Sequence, residues 1–201
     1  MKNKIPHLLI FSRLFLGFLV LILSYQQVQH YKWWAVALLT LGLLTDIFDG
    51  IIARNLKIST ISLRRLDSSI DQIFFLSIAA ATYLQCPEFF KSNYKMLLLV
   101  LGLEALTYVV SYVKFKKEVA THSIAAKIWS LLIFATLVEI ILNCNSNLLF
   151  SLFNWVGIGS RLEIIAILIV LKEWTNDVPT VYHSYRLRKG LPIKRHKLFN
   201  G

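Results

Sequence analysis

The chain has 201 residues, 56% of them apolar and 16% charged, with a formal net charge of +11 and a mean hydropathy of +0.60. Its long apolar stretches are nearly free of charge, which excludes an ordinary soluble domain and describes an all-α polytopic membrane protein. The basic residues are dispersed between those stretches and form no single stripe, so the charge is not that of a nucleic-acid-binding surface.

Residues 1–13 place Lys2, Lys4, Pro6 and Arg13 among Ile5, Leu8, Leu9, Ile10 and Phe11. This is the pattern of a short interfacial amphipathic helix feeding a first span. The first span is predicted over residues 8–27, ending in a polar turn around Gln26, Gln27, Gln29 and His30. No small-residue cleavage site follows this run, so no cleavable signal peptide is expected. Tyr31, Trp33 and Trp34 then form an aromatic belt at the membrane surface.

Hydropathy and breaker residues predict further spans over residues 33–54, 63–84, 95–114 and 124–142. Residues 148–156 are apolar but too short to cross, and Gly157 and Gly159 read as a break. The sixth span is therefore expected over 161–181, followed by a basic tail containing Arg186, Arg188, Lys189, Lys194, Arg195 and Lys197. The whole reads as one domain over residues 1–201, with six transmembrane helices and the short N-terminal interfacial helix.

Lys and Arg concentrate at the N-terminus, in the 54–65 and 114–127 connectors and in the tail. The alternate loops hold only Lys32, Lys91, Lys95 and Arg161. The positive-inside rule then puts both termini in the cytoplasm. Cys86 and Cys144 are too few for a thiolate metal cage. They fall at the outer ends of the third and fifth spans, where two separate thiols are the usual expectation and a disulfide in an oxidising compartment is the open alternative.

Against this apolar background, residues 46–71 stand out. Asp46 and Asp49 lie at i, i+3 on a face shared with Gly50 and Ala53, and Asp67 and Asp71 lie at i, i+4 on the next helix. Ionisable groups at membrane depth are costly and mark functional sites by default. If the two helices are antiparallel neighbours, four carboxylates converge at one membrane surface. Such a cluster needs compensation, which a hard divalent cation supplies, and carboxylate ligands favour Mg²⁺ or Mn²⁺.

These residues resemble the signature of the CDP-alcohol phosphatidyltransferases, membrane enzymes of phospholipid biosynthesis: DxxDGxxAR, eight residues, then Gx3Dx3D. Asp46, Asp49, Gly50, Ala53, Arg54, Asp67 and Asp71 match at fixed spacing; the second glycine falls on Leu63. The resemblance implies transfer of a phosphatidyl group from a CDP-linked lipid to an alcohol, with release of CMP. It implies one or two Mg²⁺ or Mn²⁺ ions on Asp46, Asp49, Asp67 and Asp71, with Asp71 also the catalytic base. Asp46, Asp49, Gly50, Ala53, Arg54 and Asp67 would contact CDP. The stretch Ala126-Lys127-Ile128-Trp129-Ser130 resembles the family's Gly-Lys-x-Lys-Thr, with only the first lysine kept. Lys127, Arg64, Arg65 and Arg13 are weaker candidates for binding the acceptor or a phosphate, and a homodimer in the inner membrane is implied.

Glu104, mid-span, must find a partner or a polar cavity. With His122, Tyr108 and Ser111 it is a candidate for shaping an acceptor pocket. Two other classes use intramembrane carboxylates. An ion transporter would be expected to show broken helices and repeated halves, and a membrane prenyltransferase would need more spans and two separate Asp-rich boxes; neither pattern is visible here.

Overall fold

A computed structural model describes residues 5–55, 60–119 and 123–193. Among these residues the chain is helical, without strands: α1 (Ile5–Tyr25), α2 (Tyr31–Asn55), α3 (Ile61–Gln85), α4 (Pro87–Phe115), α5 (Ile124–Asn143), α6 (Leu148–Val170) and α7 (Val181–Arg188). Five of these helices, α1, α2, α4, α5 and α6, are long and apolar enough to cross a membrane. α3 has 25 residues, about 37 Å at 1.5 Å per residue, which also suffices for a crossing. Its lower hydropathy comes from the charged residues of its first turns. The chain is an all-α integral membrane protein, and it divides into two compact units, Met1–Lys91 with Leu137–Ser146, and Ser92–Thr136 with Asn147–Gly201.

In the first unit α1 packs against both α2 and α3. Two glycines make this close. Phe74 of α3 lies over Gly17 of α1 and Gly42 of α2, and a Cβ on Gly42 would stand 2.2 Å from the Phe74 ring. Only a hydrogen fits there, so small residues at helix interfaces again set the approach of the backbones. At one end of the unit polar bonds tie the helices. Ser24 Oγ donates to Ala81 O at 2.8 Å, Gln85 Nε2 to Ser24 O at 2.8 Å, and Lys32 Nζ to Leu142 O at 2.8 Å.

The cysteines depart from the expectation of two separate thiols. Cys86 and Cys144 form a disulfide, with Cα atoms 5.2 Å apart. Their positions at the ends of α3 and α5 bring the backbones within bonding range. The expected interfacial helix also differs: residues 5–13 are the first turns of α1 itself. They have a protein partner, because Ile10 is buried against Leu63 and Ile70 of α3. Residues 1–4 lie outside the described residues.

The fourth span begins at Pro87, eight residues before the expected start. Proline suits the first helical position, where its missing N–H costs nothing, and Glu88 complements the positive helix end.

The second unit corrects the sixth span, which covers 148–170 and not 161–181. Gly157 and Gly159 lie inside the helix and do not break it. An interior glycine costs only about 1 kcal/mol, and Gly157 is required by its neighbour: a Cβ there would meet Trp129 Nε1 at 2.5 Å. The helix stops at Leu171, whose backbone is extended. Lys114 Nζ caps its end by donating to Leu168 O, Ile169 O and Leu171 O at 2.9, 2.6 and 2.7 Å. Val178, Val181 and Leu187 then pack beside Ile167 and Leu171, so the segment beyond α6 folds back onto its end.

Candidate functional site

The acidic pairs are set by two ordinary helices. Asp46 and Asp49 lie in the second half of α2, and Asp67 and Asp71 in the first half of α3. The start of α3 is fixed by Thr60, an N-cap in extended conformation whose hydroxyl accepts from Leu63 N at 3.1 Å. Leu63, where the motif has glycine, is an ordinary helical residue buried with Ile10 and Ile70. The leucine therefore fills core space and leaves the helix backbone regular. Gly42 and Phe74, the packing pair of α2 and α3, lie about one turn from Asp46 and Asp71.

This geometry brings all four carboxylates together, and α1 supplies their common partner. Arg13 is fully buried. Its Nη1 donates to Asp46 Oδ1 at 2.8 Å and to Asp71 Oδ1. Its Nη2 donates to Asp49 Oδ2 at 2.5 Å and to Asp67 Oδ1. Oxygens of Asp46, Asp49 and Asp67 lie within 4.8 Å of one another, close enough for one small cation to bridge. Asp49 is the buried floor, whereas the side chains of Asp46, Asp67 and Asp71 are 38%, 31% and 27% exposed. The cluster therefore opens on one side.

The donor set fits a hard divalent cation. It is all oxygen and anionic, it gathers around a positive group already, and it has more carboxylates than that group can neutralise. Asp46, Asp49 and Asp67 are the residues that would hold the ion, with Asp71 beside them.

The remaining sequence-predicted residues are placed as follows. Gly50 follows Asp49 in α2 and is half-buried. Ala53 and Arg54 lie on the last turns of α2, and Arg64 on the first turn of α3, but their side chains lie outside the described residues. Arg65 is exposed on α3; Lys127 is half-buried in α5, within the second unit. His122 lies outside the described residues. Arg13 was read from sequence as a weak phosphate ligand, yet it is the residue on which all four carboxylates meet. The signal for it was an arginine inside a predicted span, which demands an anionic partner.

A second charged pair was also missed. Arg161, expected in a loop, is buried inside α6, and its Nε pairs with Glu104 Oε2 of α4 at 2.6 Å. Its guanidinium lies 4.2 Å from the Trp129 ring centroid, and Trp129 Nε1 donates to Phe153 O at 3.0 Å. Glu104 thus finds the partner its depth requires.

No curated protein and no solved structure matches the chain in comparison searches. A family model does match, that of the CDP-alcohol phosphatidyltransferases, over residues 3–173. This span includes α1 to α6, all four clustered aspartates and Arg13. Most of the sequence, with its acidic site, thus follows one pattern, and the chain belongs to the CDP-alcohol phosphatidyltransferase family.

Proposed function

We propose that this protein transfers a phosphatidyl group from a CDP-linked lipid, CDP-diacylglycerol in the first instance, to an alcohol acceptor in phospholipid biosynthesis. The observation that carries the reading is the convergence of Asp46, Asp49, Asp67 and Asp71, in the family's spacing, on one half-open intramembrane cluster. One or two Mg²⁺ or Mn²⁺ ions held by these carboxylates would supply positive charge for the donor's diphosphate as Lewis acids. Gly50 and Ala53 are small enough for a nucleotide to lie close on the α2 face, and Arg54 offers a guanidinium to a phosphate. Asp71, less committed to the three-carboxylate group, takes the proton of the acceptor hydroxyl. The acceptor oxygen then bonds to the phosphatidyl phosphorus as the bond from that phosphorus to CMP breaks, and CMP leaves. Arg65 and Arg64 are proposed for an anionic group of the acceptor, and Lys127 for an anionic group on the family resemblance alone.

The match over residues 3–173 supports a single catalytic domain over 1–201. The charge distribution supports cytoplasmic termini and a cytoplasm-facing site in an inner membrane. The disulfide supports the same orientation, because Cys86 lies at the end of α3 opposite Asp67 and Asp71, where an oxidising compartment would meet it. A homodimer is proposed on the family resemblance.

The test is CMP release by the purified protein with CDP-diacylglycerol and Mg²⁺ or Mn²⁺, against a panel of acceptors that includes glycerol 3-phosphate, inositol phosphate and serine. Acceptor-dependent release of CMP is expected for one of them. Release from none, with CDP-linked head groups and a lipid acceptor also inactive, would overturn the reading.

A further inference from the structure

Arg13 sits at the centre of the cluster and is fully buried within a membrane-spanning helix. Both of its terminal nitrogens are engaged, each by two carboxylates, one from α2 and one from α3. The planar fork of a guanidinium suits this arrangement, whereas a lysine ammonium presents one compact point. Without a cation there, four carboxylates would be crowded together at bilayer depth, where each is costly to bury and repels the others. Arg13 is thus what lets the acidic faces of α2 and α3 approach.

The same contacts have a second consequence. Asp46, Asp49 and Asp67, which would hold a divalent ion, all direct an oxygen at Arg13. A carboxylate that turns its charge to an ion weakens its bond to the guanidinium, or leaves two cations side by side. Either way binding of the ion is opposed by Arg13, and the opposition is a coupling free energy between two ligands of one pocket.

Resting on the metal-site reading above, we infer that Arg13 is a built-in countercation that competes with the divalent ion for the four carboxylates. It holds the pocket together and lowers its affinity for metal. Its two roles have opposite signs on substitution. Loss of the guanidinium destabilises the metal-free protein, since it leaves buried carboxylates unpaired, but tightens metal binding. A residue that was only a strut would weaken both when removed. One that only bound phosphate would leave the affinity for metal alone unchanged.

The experiment is titration of the full-length protein in detergent with Mn²⁺ alone, followed by electron paramagnetic resonance, together with thermal melting in chelator. Arg13→Gln is expected to bind Mn²⁺ tighter than the unsubstituted protein, within the roughly 5- to 150-fold usual for coupled ligands. Its melting temperature in chelator falls, and Mn²⁺ restores more of it than in the unsubstituted protein. Arg13→Lys, which keeps the charge but not the fork, is expected to fold more readily and to tighten binding by less. Mn²⁺ binding by the unsubstituted protein with equal or weaker binding by both variants would overturn the competition while leaving the metal site standing. Absence of Mn²⁺ binding from all three would overturn both.

Discussion

Two charged clusters lie within the membrane-spanning helices, and they are built on different balances. In the second unit Glu104 meets Arg161 one to one, and the guanidinium also rests on Trp129. The two charges are opposite and the arginine face is covered by an aromatic ring, so the contacts tie α4, α5 and α6 together. In the first unit, among the described residues, four carboxylates gather on one guanidinium, that of Arg13. Within this group of described residues the carboxylates outnumber the guanidinium, and the side chains of Asp46, Asp67 and Asp71 stay partly accessible. A matched pair stabilises; an unmatched cluster retains a demand for cations. On the proposed function, that difference rather than burial would separate structural from functional charge, since Arg13 and Arg161 are both buried.

The largest expected effect follows from removing part of the unmatched cluster. Asp67→Ala should lower CMP release by about 10³-fold or more, the equivalent of the several kcal/mol a bound cation contributes to such a step. The melting temperature should change little, because a site with excess negative charge loses some self-repulsion. Breaking the matched pair should do the reverse. Arg161→Leu removes the guanidinium from half-buried Glu104 and should destabilise the second unit by about 3 kcal/mol. The double substitution Glu104→Leu with Arg161→Leu should lose less than the single one, as melting in detergent would show. If the double variant is the less stable, the cost of the single one does not come from an uncompensated Glu104 charge. Of similar size or smaller is the effect of Cys86→Ser, which should cost about 2–4 kcal/mol by releasing the end of α3. That loss should be matched by reductant on the unsubstituted protein and accompanied by a mobility shift on non-reducing gels.

Much of this was legible along the chain. Apolar runs separated by polar turns placed the first three helices and the fifth within a few residues, and the spacing of Asp46, Asp49, Asp67 and Asp71 put two carboxylates on one face of each of two helices. What escaped is long-range. Arg13 pairs with aspartates 33 to 58 positions away, and no local period encodes such a meeting. Gly42 carries no sign of the Phe74 ring that covers it. Gly157 and Gly159 read as breakers because propensity is local, whereas the contact of Trp129 with Gly157 is tertiary. That misreading put Arg161 in a loop and hid the partner of Glu104. Two opposite charges within predicted spans are a pairing signal once both are assigned to spans. The cysteines are 58 positions apart, and only the packing of α3 beside the end of α5 shows that they meet.

The claim on which the account depends is that the excess negative charge of the first unit serves a divalent ion in catalysis. It is tested most directly by CMP release from CDP-diacylglycerol after the purified protein has been stripped with chelator and then supplied with Mg²⁺ or Mn²⁺ in steps. The account predicts no release from the stripped protein and saturable recovery as the ion is returned. Full activity in excess chelator, or no recovery in a protein whose melting temperature is unchanged by stripping, would contradict it.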